Sequence, residues 1–211
     1  MAGRIITVAQ QKGGSGKTTL AVNLAGTMRA RGLKVALIDT DPQGSMGRWF
    51  MERMERRGED EGMEFSTSSA WGASYESEKL KKRFDVVIID TPPKIDSDLR
   101  PALRVADLVV VPVASSQVDL WATEGVLDLA RREKAPVLVV LNRCRPNTRL
   151  AAEVAQGAVD LGATLAQVQI GNRVAFAETL GQGLTVSDRA DARPARAELD
   201  LLTDEVLALL G

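Results

Sequence analysis

RIITVAQQKGGSGKTTLAVNLAG, running from Arg4 to Gly26, passes from an apolar β-branched run through glycines into a helix-forming pattern. Strand, glycine-rich turn and helix start, in that order, are the context in which a phosphate-binding loop is recognised. The loop pattern is G-x-x-x-x-G-K-S/T, and Gly16-Lys17-Thr18 supplies its end. Its leading glycine would fall at position 11, where the chain has Gln11, and the next residue is a second lysine, Lys12. Gly13, Gly14 and Gly16 permit torsions closed to other residues and let N–H groups approach phosphate oxygens. A helix beginning near Lys17 adds the positive end of its dipole. Gly13, Gly14, Ser15, Gly16, Lys17, Thr18 and Thr19 are therefore the expected nucleotide-binding residues, with Lys17 on the β- and γ-phosphates and the Thr18 hydroxyl on Mg²⁺. Lys12 precedes the curl of the loop and need not point into its own phosphate site. A solvated surface lysine is the plain alternative, and spacing does not choose.

Beyond the loop, RIITVA, KVALID, DVVIID, DLVVVPV and APVLVVLN are short and nearly continuous in Val, Ile and Leu. Strands buried on both faces read this way. Helix patterns fall between them at 17–31, 45–57, 74–83, 98–105, 118–133, 148–161, 174–180 and 194–210. This alternation predicts an α/β fold, a doubly wound and mostly parallel sheet flanked by helices in a single P-loop domain over residues 1–211. Ligands in such sheets sit at the carboxyl ends of the strands. Residues 52–74 are the least patterned and are expected to be a solvated helix end and loop.

Those carboxyl ends carry acids. KVALID ends in Asp39, with Asp41 two residues on, and residues i and i+2 of extended chain point the same way. Asp41 on its own also suits a helix cap before PQGSMGRW. DVVIID ends in Asp90 after four apolar residues, where a lone carboxylate is costly to ionise without a partner. Mg²⁺ is the natural one. The following TPPKIDSD is expected to act as a switch loop. VLVVLNR ends its strand in Asn142.

Composition removes other chemistries. The chain has no histidine, so the commonest general base and metal ligand are absent. Cys144 is the only cysteine, so one chain builds neither a disulfide nor a Cys-rich metal centre. The net charge of −1 does not announce nucleic-acid binding. All eight lysines stand at or before Lys134, and every later basic residue is arginine. No stretch resembles a signal peptide or a bilayer span, and a cytoplasmic protein is expected.

KGGSGKTT resembles the deviant Walker A motif, K-G-G-x-x-K-S/T, of the ParA/MinD family of ATPases. LIDTDPQGS, FDVVIIDTPP and VVLNR match that family further along, so the resemblance covers most of the chain. It implies that Lys12 reaches across an ATP-sandwiched homodimer to the partner's nucleotide, and that Asp41 orients the attacking water. Asp39 would support the Mg²⁺ shell, and Asn142 would read the adenine. The catalytic set implied is Lys12, Lys17 and Asp41; the metal set is Thr18, Asp39 and Asp90. Non-specific DNA binding by the dimer is implied too, with Arg173, Arg143 and Arg145 as the candidates.

Branches of the family separate by their tails. A MinD-type tail needs a basic amphipathic helix for anionic membrane. Here PARAELDLLTDEVLALLG carries Leu199, Leu202, Val206 and Leu209 as a stripe among acids, so stable membrane binding is not expected. One cysteine per chain does not build the four-cysteine cluster site of the related reductases, and a lone Tyr75 is no tyrosine cluster. The resemblance therefore implies a nucleoid-associated ATPase that moves a plasmid, chromosome or protein cluster with a ParB-like or equivalent adaptor that stimulates hydrolysis. The alternatives are a nucleotide-gated scaffold acting without DNA, or a MinD-like membrane-associated ATPase.

Overall fold

Strands that are apolar on both faces are stable only between two layers of helix, and the chain folds that way. A computed structural model describes residues 3–93, 99–145 and 148–211. Its strands are β1 (Arg4–Val8), β2 (Val35–Asp39), β3 (Met63–Thr67), β4 (Val86–Asp90), β5 (Leu108–Ala114), β6 (Val137–Asn142) and β7 (Thr164–Leu165). They form one seven-stranded sheet in the order β3-β2-β4-β1-β5-β6-β7, parallel at every pairing. The helices are α1 (Lys17–Ala30), α2 (Ser45–Arg57), α3 (Ala73–Leu80), α4 (Arg100–Arg104), α5 (Gln117–Glu133), α6 (Arg149–Asp160), α7 (Val174–Leu180) and α8 (Arg193–Leu210).

Side-chain alternation along each strand divides the core into two layers. Ile6, Val8, Leu37, Ile88, Val110 and Val140 pack under α1, α2, α7 and α8. On the other face, Val109, Val111, Val139 and Leu141 pack under α5 and α6, and Ile5, Ile38, Val87 and Ile89 pack under α3 and α4. From β1 the chain winds outward through β2 and β3, returns as β4, and then crosses to β5, β6 and β7 on the other side. The winding reverses at β1, so the loop after it opens into the crevice where such sheets hold ligands.

Two strands stand where sequence patterning gives none. Residues 52–74 contain β3 and the start of α3 rather than loop alone. MEFST has little apolar alternation because β3 is an edge strand that pairs only with β2. Its Phe65 is partly buried and stacks on Phe50 of α2, 5.1 Å between ring centroids. β7 has two residues and is too short to carry a period. The helix expected at 98–105 is the short α4, and the switch-loop residues 94–98 lie outside the described residues.

α8 packs on the body. Leu199, Leu202, Val206 and Leu210 are buried, whereas Leu209, expected in the stripe, is exposed. Arg31, at the carboxyl end of α1, pairs with Asp200 and Asp204 of α8. Among the described residues, no helix is long and apolar enough to cross a membrane. Leu202→Ala should cost about 2–5 kcal/mol of stability, as removal of a fully buried leucine does. Leu201, 59% exposed, should tolerate alanine within about 0.5 kcal/mol. Urea denaturation of both variants checks this, and equal costs would contradict the packing of α8.

Candidate nucleotide-binding site

The loop between β1 and α1 is shaped by two left-handed glycines, Gly14 at φ 77° and Gly16 at φ 92°. A side chain at 16 would also collide with a neighbour, because its Cβ would lie 2.5 Å from Asn142 Nδ2. The loop is braced from outside. Asn142 Nδ2 donates to the Ser15 carbonyl at 2.8 Å, and Arg143 Nη1 donates to the Gly14 carbonyl at 2.7 Å. At its start, Gln10 Nε2 donates to Pro112 O and Thr123 Oγ1, while Gln10 Oε1 accepts from Gln11 N. Lys17 and Ser15 are buried, and the Ser15 hydroxyl has no hydrogen-bond partner among the described residues. Burial pushes the Lys17 ammonium below its usual range, against the pull of Asp90 and then of Asp41.

The register of β2 on β4 sets Asp39 beside Asp90. Thr18 Oγ1 donates to Asp90 Oδ2 at 2.5 Å, while the buried Oδ1 has no partner among the described residues. Burial drives the Asp90 carboxyl up to about 7, opposed by the Thr18 hydrogen bond, and the Asp39 charge adds to the rise. Burial also raises Asp39, whose oxygens accept the backbone N–H groups of Asp41 (2.9 Å) and Gly47 (3.2 Å). Those bonds shape the loop after β2 and hold the first turn of α2. Asp41 lies beyond the end of β2, so a turn sets its direction rather than strand alternation. Its Oδ1 accepts from Gln43 N at 2.9 Å. The acid that reaches into α2 is therefore Asp39, and Asp41 closes a local turn.

A hydroxyl beside a carboxylate with one free oxygen is a hard-oxygen donor set, and it fits Mg²⁺. Among the described residues no group of three or more Asp, Glu, His or Cys side chains suits a metal. The fit is thus to a cation that keeps waters and phosphate oxygens in its shell, held by Thr18 and Asp90.

Lys12 is half-buried, and its Nζ lies 2.8 Å from Asp119 Oδ2 in the first turn of α5. Asn142 and Arg143 line a cleft of about 540 Å³ together with Thr19, Gly171, Asn172 and Phe176. A second cleft, about 790 Å³, runs along residues 39–44, Ser68–Trp71 and Pro92–Pro93. Of the three arginines expected on DNA, Arg143 is spent on the phosphate loop, and Arg173 is clamped by Glu198 through Nε at 3.1 Å. Glu198 also accepts from Gly171 N, so it closes that side of the cleft. Arg145 is exposed. Asp119, Gln10, Glu198 and the bracing role of Arg143 are site features that sequence did not supply. The one available signal was Ser116-x-x-Asp119, an N-terminal helix pattern that marks where α5 begins and says nothing of Lys12.

Residues 6–186 match the family model described as the CobQ/CobB/MinD/ParA nucleotide binding domain. The chain is 26% identical to the maintenance of carboxysome distribution protein A of Halothiobacillus neapolitanus over 209 residues, covering 96% of this chain and 95% of that one. It is 32% identical to the chromosome-partitioning ATPase Soj of Thermus thermophilus, covering 97% and 96%. The fold resembles the cell division ATPase MinD of Pyrococcus furiosus with a TM-score of 0.81 at 20% identity, over 98% of this chain and 99% of that one. The chain belongs to the MinD/ParA nucleotide-binding family.

The Asp90 shift has a stability consequence in the nucleotide-free protein. Its folded-state value of about 7 stands above the ordinary 3.8, so between these values the folded chain holds a proton that the unfolded chain has lost. Stability therefore falls as pH rises through that window, and the loss is complete above the upper value. Asp90→Asn should remove this share, leading wild type by a few kcal/mol at about pH 8 and by less at about pH 5 in urea denaturation. A gap that does not change with pH would contradict the burial of an under-partnered acid.

Proposed function

We propose that the chain is a Mg²⁺-dependent ATPase that pairs as a homodimer around ATP, holds DNA without sequence preference in that state, and segregates or positions a cargo. The observation that carries this is the division of labour between two lysines. Lys17 is buried in its own loop beside Asp90, whereas Lys12, five residues earlier, is half-buried and pairs with Asp119 of α5. A lysine held on α5 does not serve the phosphates of its own loop; a second subunit's nucleotide gives it a ligand.

Within one subunit, the loop N–H groups and Lys17 hold the β- and γ-phosphates, and the cleft beside Asn142 and Asn172 takes the base. Bound at Thr18 and Asp90, Mg²⁺ supplies charge neutralisation of the phosphate oxygens. Asp41 orients the attacking water, and Asp39 fixes the backbone that carries Asp41. Lys12 of each subunit neutralises charge on the other's phosphates. Positioning and preorganised charge suffice for in-line transfer to water, and no covalent intermediate is required. Val118 and Trp121, 55% and 68% exposed, stand on the turn that carries Asp119 and suit burial against a second copy.

Arg145 leads the DNA contact, since Arg143 holds the Gly14 carbonyl, Arg173 pairs with Glu198 and the exposed Arg149 pairs with Glu153. Two-fold symmetry doubles whatever patch one subunit offers. The names of the relatives support two kinds of cargo, a chromosome and a carboxysome. In this reading an adaptor on the cargo stimulates hydrolysis.

Retention on random-sequence DNA is expected with Mg²⁺ and ATP, not with ADP, and should fall steeply with salt as phosphate contacts do. Arg145→Glu should weaken it by about ten-fold or more at constant ATP affinity. Asp41→Ala should keep ATP binding and lose about 100-fold or more of turnover. Retention that ignores the nucleotide, or wild-type turnover in Asp41→Ala, would overturn the assignment.

A further inference from the structure

In the separate subunit Lys12 is engaged by Asp119 across a bond of 2.8 Å, and the two ends of the bond are unequal. The lysine side chain retains 39% exposure and the aspartate 5%. Asp119 belongs to a small network. Ser116 caps α5, and its hydroxyl bonds both the Asp119 backbone N–H and the Asp119 carboxylate. Thr123 Oγ1 donates to the Asp119 carbonyl and accepts from Gln10 Nε2. Gln10 precedes Lys12 by two residues, so one network joins the base of the phosphate loop to the first turn of α5.

This asymmetry gives the departure of Lys12 a cost. The lysine goes from one polar setting to another, but Asp119 is left nearly buried, supported among the described residues by Ser116 and the amino end of α5.

We propose that Asp119 is a positioning residue that holds Lys12 in cis in the nucleotide-free subunit, and that dimerisation on ATP exchanges two such ion pairs for lysine–phosphate contacts. The proposal rests on the ATP-bridged dimer argued above. Asp119 thereby sets how much nucleotide is needed before subunits pair. An event that needs a free lysine is weakened by the fraction of time it is free. That factor enters twice per dimer, and two nucleotides are bound, so the midpoint nucleotide concentration moves by one factor. For a charge-assisted hydrogen bond of this kind the factor is about ten.

The test uses the full chain and Asp119→Asn, which keeps the shape and removes the charge. In the absence of nucleotide, the rate at which an amine-reactive ester labels Lys12 is read by peptide mass spectrometry, with Lys79, 57% exposed, as internal reference. Labelling of Lys12 relative to Lys79 should rise several-fold in the variant. Light scattering across a titration of non-hydrolysable ATP analogue with Mg²⁺ should show the dimer midpoint about ten-fold lower than in wild type. Ser116→Ala, which leaves the acid more dependent on the lysine, should move the midpoint upward and carries the test if Asp119→Asn does not fold. An unchanged labelling ratio, or a midpoint that is unchanged or higher in Asp119→Asn while wild type dimerises, overturns the exchange alone. A wild-type chain that stays monomeric at saturating analogue overturns the dimer, and the exchange with it.

Discussion

Three charged groups, Lys17, Asp39 and Asp90, are buried together at the carboxyl ends of parallel strands, and most of the site follows from the need to offset that cost. The fold does so unevenly. Asp39 is satisfied by backbone N–H groups, which turns a strand-end acid into the anchor of the loop after β2. Asp90 receives one hydroxyl and keeps an oxygen without a partner among the described residues, and burial drives its carboxyl toward neutrality. Burial pushes Lys17 toward neutrality as well, by lowering its pKa. A polyphosphate carrying a divalent cation complements all of this at once, with anionic oxygens for Lys17 and the loop N–H groups and a cation for Asp90.

The bracing around the loop shows what preorganisation requires here. Asn142 and Arg143 stand at the end of β6 and grip successive parts of the loop through its carbonyls. Arg143 adopts a left-handed backbone, φ 53°, which costs a non-glycine residue roughly 1–2 kcal/mol. That torsion accompanies the side chain's contact with Gly14. The contact of Asn142 with the loop in turn requires position 16 to lack a side chain. Backbone N–H groups aimed at a ligand are useful only if they need not reorganise when it arrives.

The features legible in sequence were those written by local repetition. Continuous apolar runs gave the central strands, glycine spacing gave the phosphate loop, and acids at strand ends marked the crevice. What escaped depends on partners distant along the chain. β3 reads as loop because an edge strand with one neighbour needs little apolar alternation, and β7 is too short for any period. Glu198 holds Arg173 from 25 residues away, and Asp119 holds Lys12 from 107 away. No local pattern encodes either pair. Asp41 also shows where alternation stops applying, since β2 ends at Asp39 and a turn takes over.

The two lysines are thus distinguished by surroundings rather than by type. One is buried against carboxylates at the start of α1, and the other lies half in solvent against α5. The central claim is that ATP joins two copies through the second lysine. A crystal structure with a non-hydrolysable ATP analogue and Mg²⁺ tests it most directly. The account predicts a two-fold symmetric pair in which each Lys12 ammonium contacts phosphate oxygens of the nucleotide bound by the other copy. A single subunit with nucleotide in its loop and Lys12 still on Asp119 would contradict it.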